Sequence, residues 1–266
     1  MRNSHCLSSD TCQRYSYIRR YDLGELDNPD VHSFSRLSYI NRLEWIIQLI
    51  SDTIPPPARV IDWGCAQGNM GLTLAEMGYA VVAADLRHDF LLYSREKYEH
   101  GRIGWVVANL DQSCFKEECC YVVLLCEVLE HCAYPERVLA AVGEGVKPGG
   151  ILVATTPNRR YLRSTLPTFE AMRTSDRAEL AKHQFGPDGS DHLFAFTLTE
   201  LRTFGDGTLH PLKWGYLGCA VATARWQFLF RKLPIGWIYR AIRLGERITC
   251  LNATFSPGIY CVYVKQ

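Results

Sequence analysis

The sequence contains no run of eighteen apolar residues, so no segment reads as a membrane-spanning helix. Met1 to Arg20 also lacks the apolar stretch of a secretory leader. Net charge is almost missing: 29 Lys and Arg against 28 Asp and Glu leave +1, which excludes a histone-like basic protein and an acidic disordered solvator. The 11 cysteines form no C-x-x-C pair. Odd in number and spread from Cys6 to Cys261, they do not read as a disulfide framework. In apolar runs such as Tyr121 to Cys126 a free thiol acts as a small hydrophobe. There is no internal repeat and no low-complexity tract. From these absences a reduced, cytoplasmic chain is expected. With 47% hydrophobic residues in 266, it has ample material for one decorated α/β domain.

Residues 1–32 show no clear period and read as an irregular arm. Ser33 to Ser51 places Phe34, Leu37, Ile40, Trp45, Ile46, Leu49 and Ile50 near helical spacing, so an amphipathic cap helix is expected there. Pro55, Pro56 and Pro57 separate this N-terminal part, 1–57, from a core domain over 58–266. Strands are expected over 59–63, 80–85, 103–108, 121–126 and 151–155. Helices fill the gaps, with glycine stops at Gly78 and Gly101 and a turn at Lys147-Pro148-Gly149-Gly150. Such alternation gives right-handed βαβ crossovers and a parallel, doubly wound sheet. After Pro157 the rhythm breaks. Residues 158–192 read as a long substrate loop, 197–204 as a short capped helix, 213–222 as a strand and 259–265 as a final strand.

Strand one runs into Asp62-Trp63-Gly64-Cys65-Ala66-Gln67-Gly68 directly before a helix, where glycines let the backbone turn sharply toward a ligand. A dinucleotide fingerprint would need Gly at the positions held by Gly64, Ala66 and Asn69. Asp62 would repel a pyrophosphate. It favours a cationic ligand, and S-adenosylmethionine carries both a sulfonium and an ammonium. The second strand ends at Asp85, where a carboxylate can accept two ribose hydroxyls, and the third at Asn109, where an amide could meet adenine.

The runs VIDWGCAQGNMG, VVAADL, VVANL, YVVLLCEVLEH and VKPGGILVATTPN together resemble the motif series of class I S-adenosylmethionine-dependent methyltransferases. The resemblance covers about residues 58–157. It implies a Rossmann-like seven-stranded sheet with an antiparallel last strand. It also implies S-adenosylmethionine as cofactor, with Gly64, Cys65 and Gly68 facing its methionine part, Asp85 the ribose, and Asn109 with Leu110 the adenine; Asp62, Ala66, Leu86 and Cys126 complete the expected cofactor-binding set. Two departures stand out: Ala66 replaces the usual middle glycine, and Asn109 stands where Asp is common.

Methyl transfer is an in-line displacement on an activated carbon, so the protein chiefly aligns the acceptor and removes its proton. Glu127, Glu130 and His131 follow the fourth strand, and His192 follows the polar loop. Glu127, His131 and His192 are the candidate catalytic residues, the imidazoles as bases poised near neutral pH. The ubiquinone-pathway O-methyltransferases carry a similar E-x-x-E-H run followed by a later His. The small-RNA 3′-terminal 2′-O-methyltransferases resemble it more weakly, with two Glu and two His that bind a divalent metal. On that resemblance Glu127, Glu130, His131 and His192 would hold Mn, Zn or Mg. His32 and His183 also lie in candidate substrate-cap segments, and His210 reads as a turn residue before Pro211.

Residues 222–248 interleave six basic side chains, among them Arg231, Lys232, Arg240 and Arg243, with aromatics including Trp226, Trp237 and Tyr239, against Glu246 as the only acid. Such a helical insertion can lie in a membrane interface, grip a phosphate-bearing substrate, bind RNA, or pack one face on the protein and solvate its arginines. The acceptor is expected to be an oxygen on a small molecule, lipid or sugar. RNA 2′-O-methylation and a non-catalytic cofactor-binding subunit are the alternatives.

Overall fold

The computed structural model describes residues 1–109, 115–184, 192–205, 207–218, 231–246 and 253–266. It contains a seven-stranded sheet in the order β3-β2-β1-β4-β5-β7-β6. The chain divides into two compact units, Met1–Ala108 with Gly218–Arg247, and Asn109–Leu217 with Ile248–Gln266.

In the first unit, β1 (Arg59–Trp63), β2 (Ala80–Asp85) and β3 (Arg102–Val107) run parallel, with Val60 beside Val81 and Val81 beside Ile103. Parallel strands need crossovers, and these contain helices Asn69–Glu76 and His88–Lys97, each followed by a glycine at positive φ (Gly78, 96°; Gly101, 104°). At Gly101 a side chain would also strike the backbone of Ala75 at 2.5 Å. The cap helix spans Phe34–Thr53, started by the Ser33 hydroxyl accepting from the Arg36 N–H.

The N-terminal arm is not irregular. It folds into a short turn at Ser4–Cys6 and helices α1 (Ser9–Arg14) and α2 (Ser16–Gly24). Tyr15 and Ile18 are buried with Phe90 and Tyr93, and Asp22 is fully buried. There Asp22 accepts from Lys97 Nζ (2.7 Å), Tyr93 Oη (2.8 Å) and Asn69 Nδ2 (2.9 Å). Burial works to lower the Lys97 ammonium's pKa, and the adjacent Asp22 works to hold its charge.

The helix Ile235–Glu246, inside the basic aromatic segment, buries Ile238 and Ile242 against Leu37 and leaves Trp237 and Leu244 exposed. Two of its region's cations are already engaged: Arg231 pairs with Asp30 at 2.8 Å and Arg243 with Glu44 at 2.6 Å. Residues 219–230, with Trp226, lie outside the described residues. Among the described residues no helix is long and apolar enough to cross a membrane.

In the second unit β4 (Cys120–Cys126) pairs in parallel with β5 (Val146–Pro157). The Lys147-Pro148-Gly149-Gly150 segment lies within β5 rather than standing apart as a turn. The final strand β7 (Gly258–Lys265) is antiparallel both to β5 and to β6 (Leu209–Leu217). His210 therefore sits in a strand opposite Val264, not in a turn. The 158–192 segment is not all loop: helices Phe169–Arg173 and Arg177–Ala181 are capped by the side chains of Thr168 and Asp176. The helix expected over 197–204 forms at Leu198–Arg202 with a capping box between Thr197 and Glu200.

Candidate active site

The loop after β1 turns three times through positive φ, at Gly64 (78°), Ala66 (44°) and Gly68 (76°). Ala66 tolerates this strained region because the surroundings over-determine it. Its N–H donates to Asp85 Oδ2 at 2.8 Å, and its methyl packs beside Tyr21 and the Tyr15–Ile18–Phe90–Tyr93 cluster. The N–H groups of Gly64 and Cys65 both donate to the Ala84 carbonyl (2.8 and 3.0 Å), so the loop is tied to the end of β2. At Gly68 a Cβ would lie 2.1 Å from Ser94 Oγ, so close approach of the second crossover helix also requires glycine there.

Two buried carboxylates flank this loop, Asp85 bonded to it at Ala66 and Asp62 bonded to the helix after it. Asp62, 3% exposed, accepts from the Gly71 N–H at 3.0 Å, and Asp85 Oδ1 accepts from the Arg87 N–H at 2.8 Å. Burial pushes Asp62 up to about 7, the Gly71 N–H opposes that, and the negative field of Asp85 adds to it. Burial also raises Asp85, against the N–H groups of Arg87 and Ala66. Burial first, then the fields of Asp62 and Asp85, raise the Cys65 thiol, which is therefore no nucleophile. Two buried carboxylates that disfavour each other's charge suit a ligand that brings positive charge, and the donor set fits S-adenosylmethionine. Leu86 is exposed beside Asp85, Asn109 is exposed beyond Ala108, and Leu110 lies outside the described residues.

The second unit carries the other predicted residues. β4 ends at Cys126, in register with Thr155. Glu127 follows at φ 58° and accepts from the Thr155 hydroxyl at 2.9 Å. Leu129–His131 form a single 3-10 turn, which brings Glu130 and His131 round from the strand end. Beyond the sequence-distant gap, the Leu193 N–H donates to the Glu130 carbonyl at 2.9 Å, and Phe194 and Phe196 bury themselves with Phe169 and Phe204. This aromatic anchor sets His192 against the turn. The His131 and His192 rings lie 4.7 Å apart at 72°, and His192 Nε2 stands 4.0 Å from Glu130 Oε1, whose side chain is 0% exposed.

One carboxylate oxygen of Glu130 and one ring nitrogen from each of His131 and His192 lie within 4.8 Å of one another. The structure thus brings together three of the four predicted metal ligands, while Glu127 bonds to Thr155. His32 lies 3.5 Å from the Leu233 carbonyl, and His183 lies 3.7 Å from Glu179, so neither joins the cluster. Sequence reasoning missed Asp22 and Asn69, which brace the start of the helix after Gly68 from the N-terminal arm.

Residues 61–154 match the family model described as a methyltransferase domain. The matched stretch runs from β1 into β5 and includes the 64–68 loop, Asp85 and the Glu127–His131 segment. Among named relatives, the chain is 30% identical over 143 residues to the ubiquinone biosynthesis O-methyltransferase of Hydrogenovibrio crunogenus, covering 52% of this chain and 58% of that protein. It is 27% identical over 178 residues to the protein of the same name from Burkholderia thailandensis, covering 64% and 75%. The chain spans about half the length of the first curated relatives it matches. A solved structure of 1,6-didemethyltoxoflavin-N1-methyltransferase from Burkholderia thailandensis superposes with a TM-score of 0.51 at 15% identity, covering 96% of this chain and 90% of that one. At that identity the likeness bears on the fold alone.

Proposed function

We propose that the chain is an S-adenosylmethionine-dependent methyltransferase that methylates an oxygen of a small molecule, lipid or sugar. The observation that carries this reading is the pair of buried carboxylates at the strand ends beside the 64–68 loop: Asp85 holds the Ala66 N–H of the loop, and Asp62 holds the Gly71 N–H of the helix that follows it. When bound there, the cofactor supplies a methyl group on a cationic sulfur, already activated for displacement. Asp62 and Asp85 offer the negative field for such a cation, and Asp85 retains lone pairs for ribose hydroxyls. The relatives' name supports oxygen as the acceptor atom. His131 or His192 removes the acceptor's proton, and the Glu130 carboxylate 4.0 Å from His192 stabilises the imidazolium formed.

The cluster itself favours a second reading, in which Glu130, His131 and His192 hold a divalent ion. One buried carboxylate with two imidazoles is a donor set suited to Mn, Zn or Mg. An ion there would lower the pKa of an acceptor hydroxyl. Calorimetry with S-adenosylmethionine, followed by turnover on catechols, lipids, sugars and RNA 3′ ends, tests the proposal. Cofactor binding with turnover on a small hydroxyl compound is the expected result. Turnover on RNA alone would replace the acceptor class, binding without any turnover would make the chain a cofactor-binding subunit, and no binding would sink the reading.

A further inference from the structure

A cavity of about 390 Å³ opens in the second unit, lined by Pro157, Asn158, Tyr161, Arg163, Ser164, Thr165, Leu166, His192 and Pro257. That volume lies in the range of small-molecule sites, and His192 joins its wall to the Glu130–His131–His192 cluster. The chemistry of the lining is one-sided. Among the described residues it contains no carboxylate, and residues 146–168 include Lys147, Arg159, Arg160 and Arg163 but no Asp or Glu. Glu130 stands 4.0 Å from His192 but is fully buried and is not part of the lining.

The donors are also left over. Asn158 spends its amide on the carbonyls of Ala253 and Ser256 and its oxygen on the Arg160 N–H, so it builds the wall rather than binding. Arg159 Nη1 is spent on the Ser164 carbonyl at 3.4 Å. In contrast, the Arg163 guanidinium makes no ion pair and no hydrogen bond among the described residues. The Ser164 hydroxyl is buried and has no hydrogen-bond partner among them. A buried hydroxyl left unmet costs about 1–3 kcal/mol, so it marks a place where a ligand is expected. The remaining polar groups, Thr165 and Tyr161, are hydroxyls that can donate as well.

We propose that this cavity binds the oxyanion of an acidic acceptor, a carboxylate or a phosphate, with Arg163 as the charged ligand and Ser164 as a second donor. The proposal rests on the methyltransferase reading and deepens it. The acceptor would be an anionic hydroxyl compound, anchored by its acid group so that its hydroxyl lies next to His192. An arginine fork suits either oxyanion, which it can meet with two parallel bonds.

The test uses the full chain titrated with benzoate, phenyl phosphate, inorganic phosphate and the neutral isostere benzamide, with S-adenosylmethionine measured alongside. Benzoate or phenyl phosphate should bind and compete with inorganic phosphate, and the tighter of the two tells carboxylate from phosphate. Benzamide should bind at least tenfold more weakly. Arg163→Gln should lower anion affinity at least tenfold, and Ser164→Ala by less, while both leave S-adenosylmethionine affinity unchanged. Equal binding of benzoate and benzamide, or no effect of Arg163→Gln, would overturn the proposal. So would a short RNA that binds through Arg163 while phosphate and benzoate fail to compete. If the anions bind as expected and S-adenosylmethionine does not, the site stands and the methyltransferase reading fails. If only S-adenosylmethionine binds, the anion site alone fails.

Discussion

The backbone N–H of Ala66 and the carboxylate of Asp85 are joined at 2.8 Å, so the residue that departs from the usual glycine is held by the residue assigned to the ribose. On the proposed reading, one side chain would both shape the loop and meet the ligand's ribose. Asp85→Ala should weaken S-adenosylmethionine and S-adenosylhomocysteine together, by at least tenfold in calorimetry, since each charge-assisted hydrogen bond is worth about 1.5–3 kcal/mol. Asp85→Asn keeps one acceptor oxygen and should fall between. Wild-type affinity in Asp85→Ala would remove the residue from the site.

Asp62 sets a pH dependence with a definite sign. Its folded-state value is raised to about 7 from the ordinary 3.8, so the folded protein holds the proton more tightly than the unfolded chain does. That contribution to stability is complete below the unfolded value and is lost as pH rises from about 4 to about 7. The melting temperature of the unliganded protein should therefore decline through that window by more than it does in Asp62→Asn. A cationic ligand offsets the loss, so saturating S-adenosylmethionine should flatten the profile. Parallel profiles for wild type and Asp62→Asn would show that Asp62 is not the group responsible.

Asp22 and Lys97 are an ion pair with 0% and 1% exposure, which makes the single variants costly. Breaking a buried pair leaves one charge unmet and costs about 3–5 kcal/mol, whereas replacing both partners by apolar groups is often near neutral. Asp22→Ala and Lys97→Met should each lower stability to chemical denaturation by about that amount. The double variant Asp22→Leu/Lys97→Met should recover part of it. An additive double variant would mean that the pair is not coupled.

The basic segment carries a weaker field than its sequence suggests, because Arg231 and Arg243 are paired with Asp30 and Glu44. Lys232 and Arg240 form no ion pair among the described residues, and Trp237 is 65% exposed. If the 222–248 segment holds the protein at a membrane, vesicles with anionic lipid should co-sediment it at low salt, and Lys232→Glu/Arg240→Glu should abolish that. Absence of wild-type binding at low salt would end the membrane reading.

What was legible in the sequence was local. Asp62, Gly64 and Gly68 announce a strand, a turn and a helix start within ten residues, and Asp85 repeats the placement one strand later. The arm was not legible, because α2 is held by Asp22, whose partners Asn69 and Lys97 are 47 and 75 residues away. Its signal lay in the Tyr15–Ile18 spacing and in the Ser8 cap on the Thr11 N–H. The two helices inside 158–192 were missed because each has only five residues, too few for a period, although Thr168 and Asp176 stand as caps. The Glu130–His192 approach was expected from residue types alone. It is fixed by Phe194 and Phe196, whose aromatic partners no local pattern reveals.

The cluster of Glu130, His131 and His192 separates two chemistries by one measurement. If it holds a divalent ion, a chelator should abolish turnover, and added Mn, Zn or Mg should restore it while S-adenosylmethionine affinity persists. His192→Ala should then cost at least a hundredfold in activity and also lower metal affinity, since the ring would be one of the ion's ligands. If turnover is unchanged in chelator, the imidazoles act alone. Activity would then be lost in His131→Ala or His192→Ala, whichever ring serves as the base. Glu130→Gln distinguishes the cases again. It keeps the shape of a side chain with 0% exposure but removes its charge, so it should abolish metal binding in the first case. In the second it should lower turnover while leaving it measurable, because the imidazolium formed loses a carboxylate 4.0 Å away.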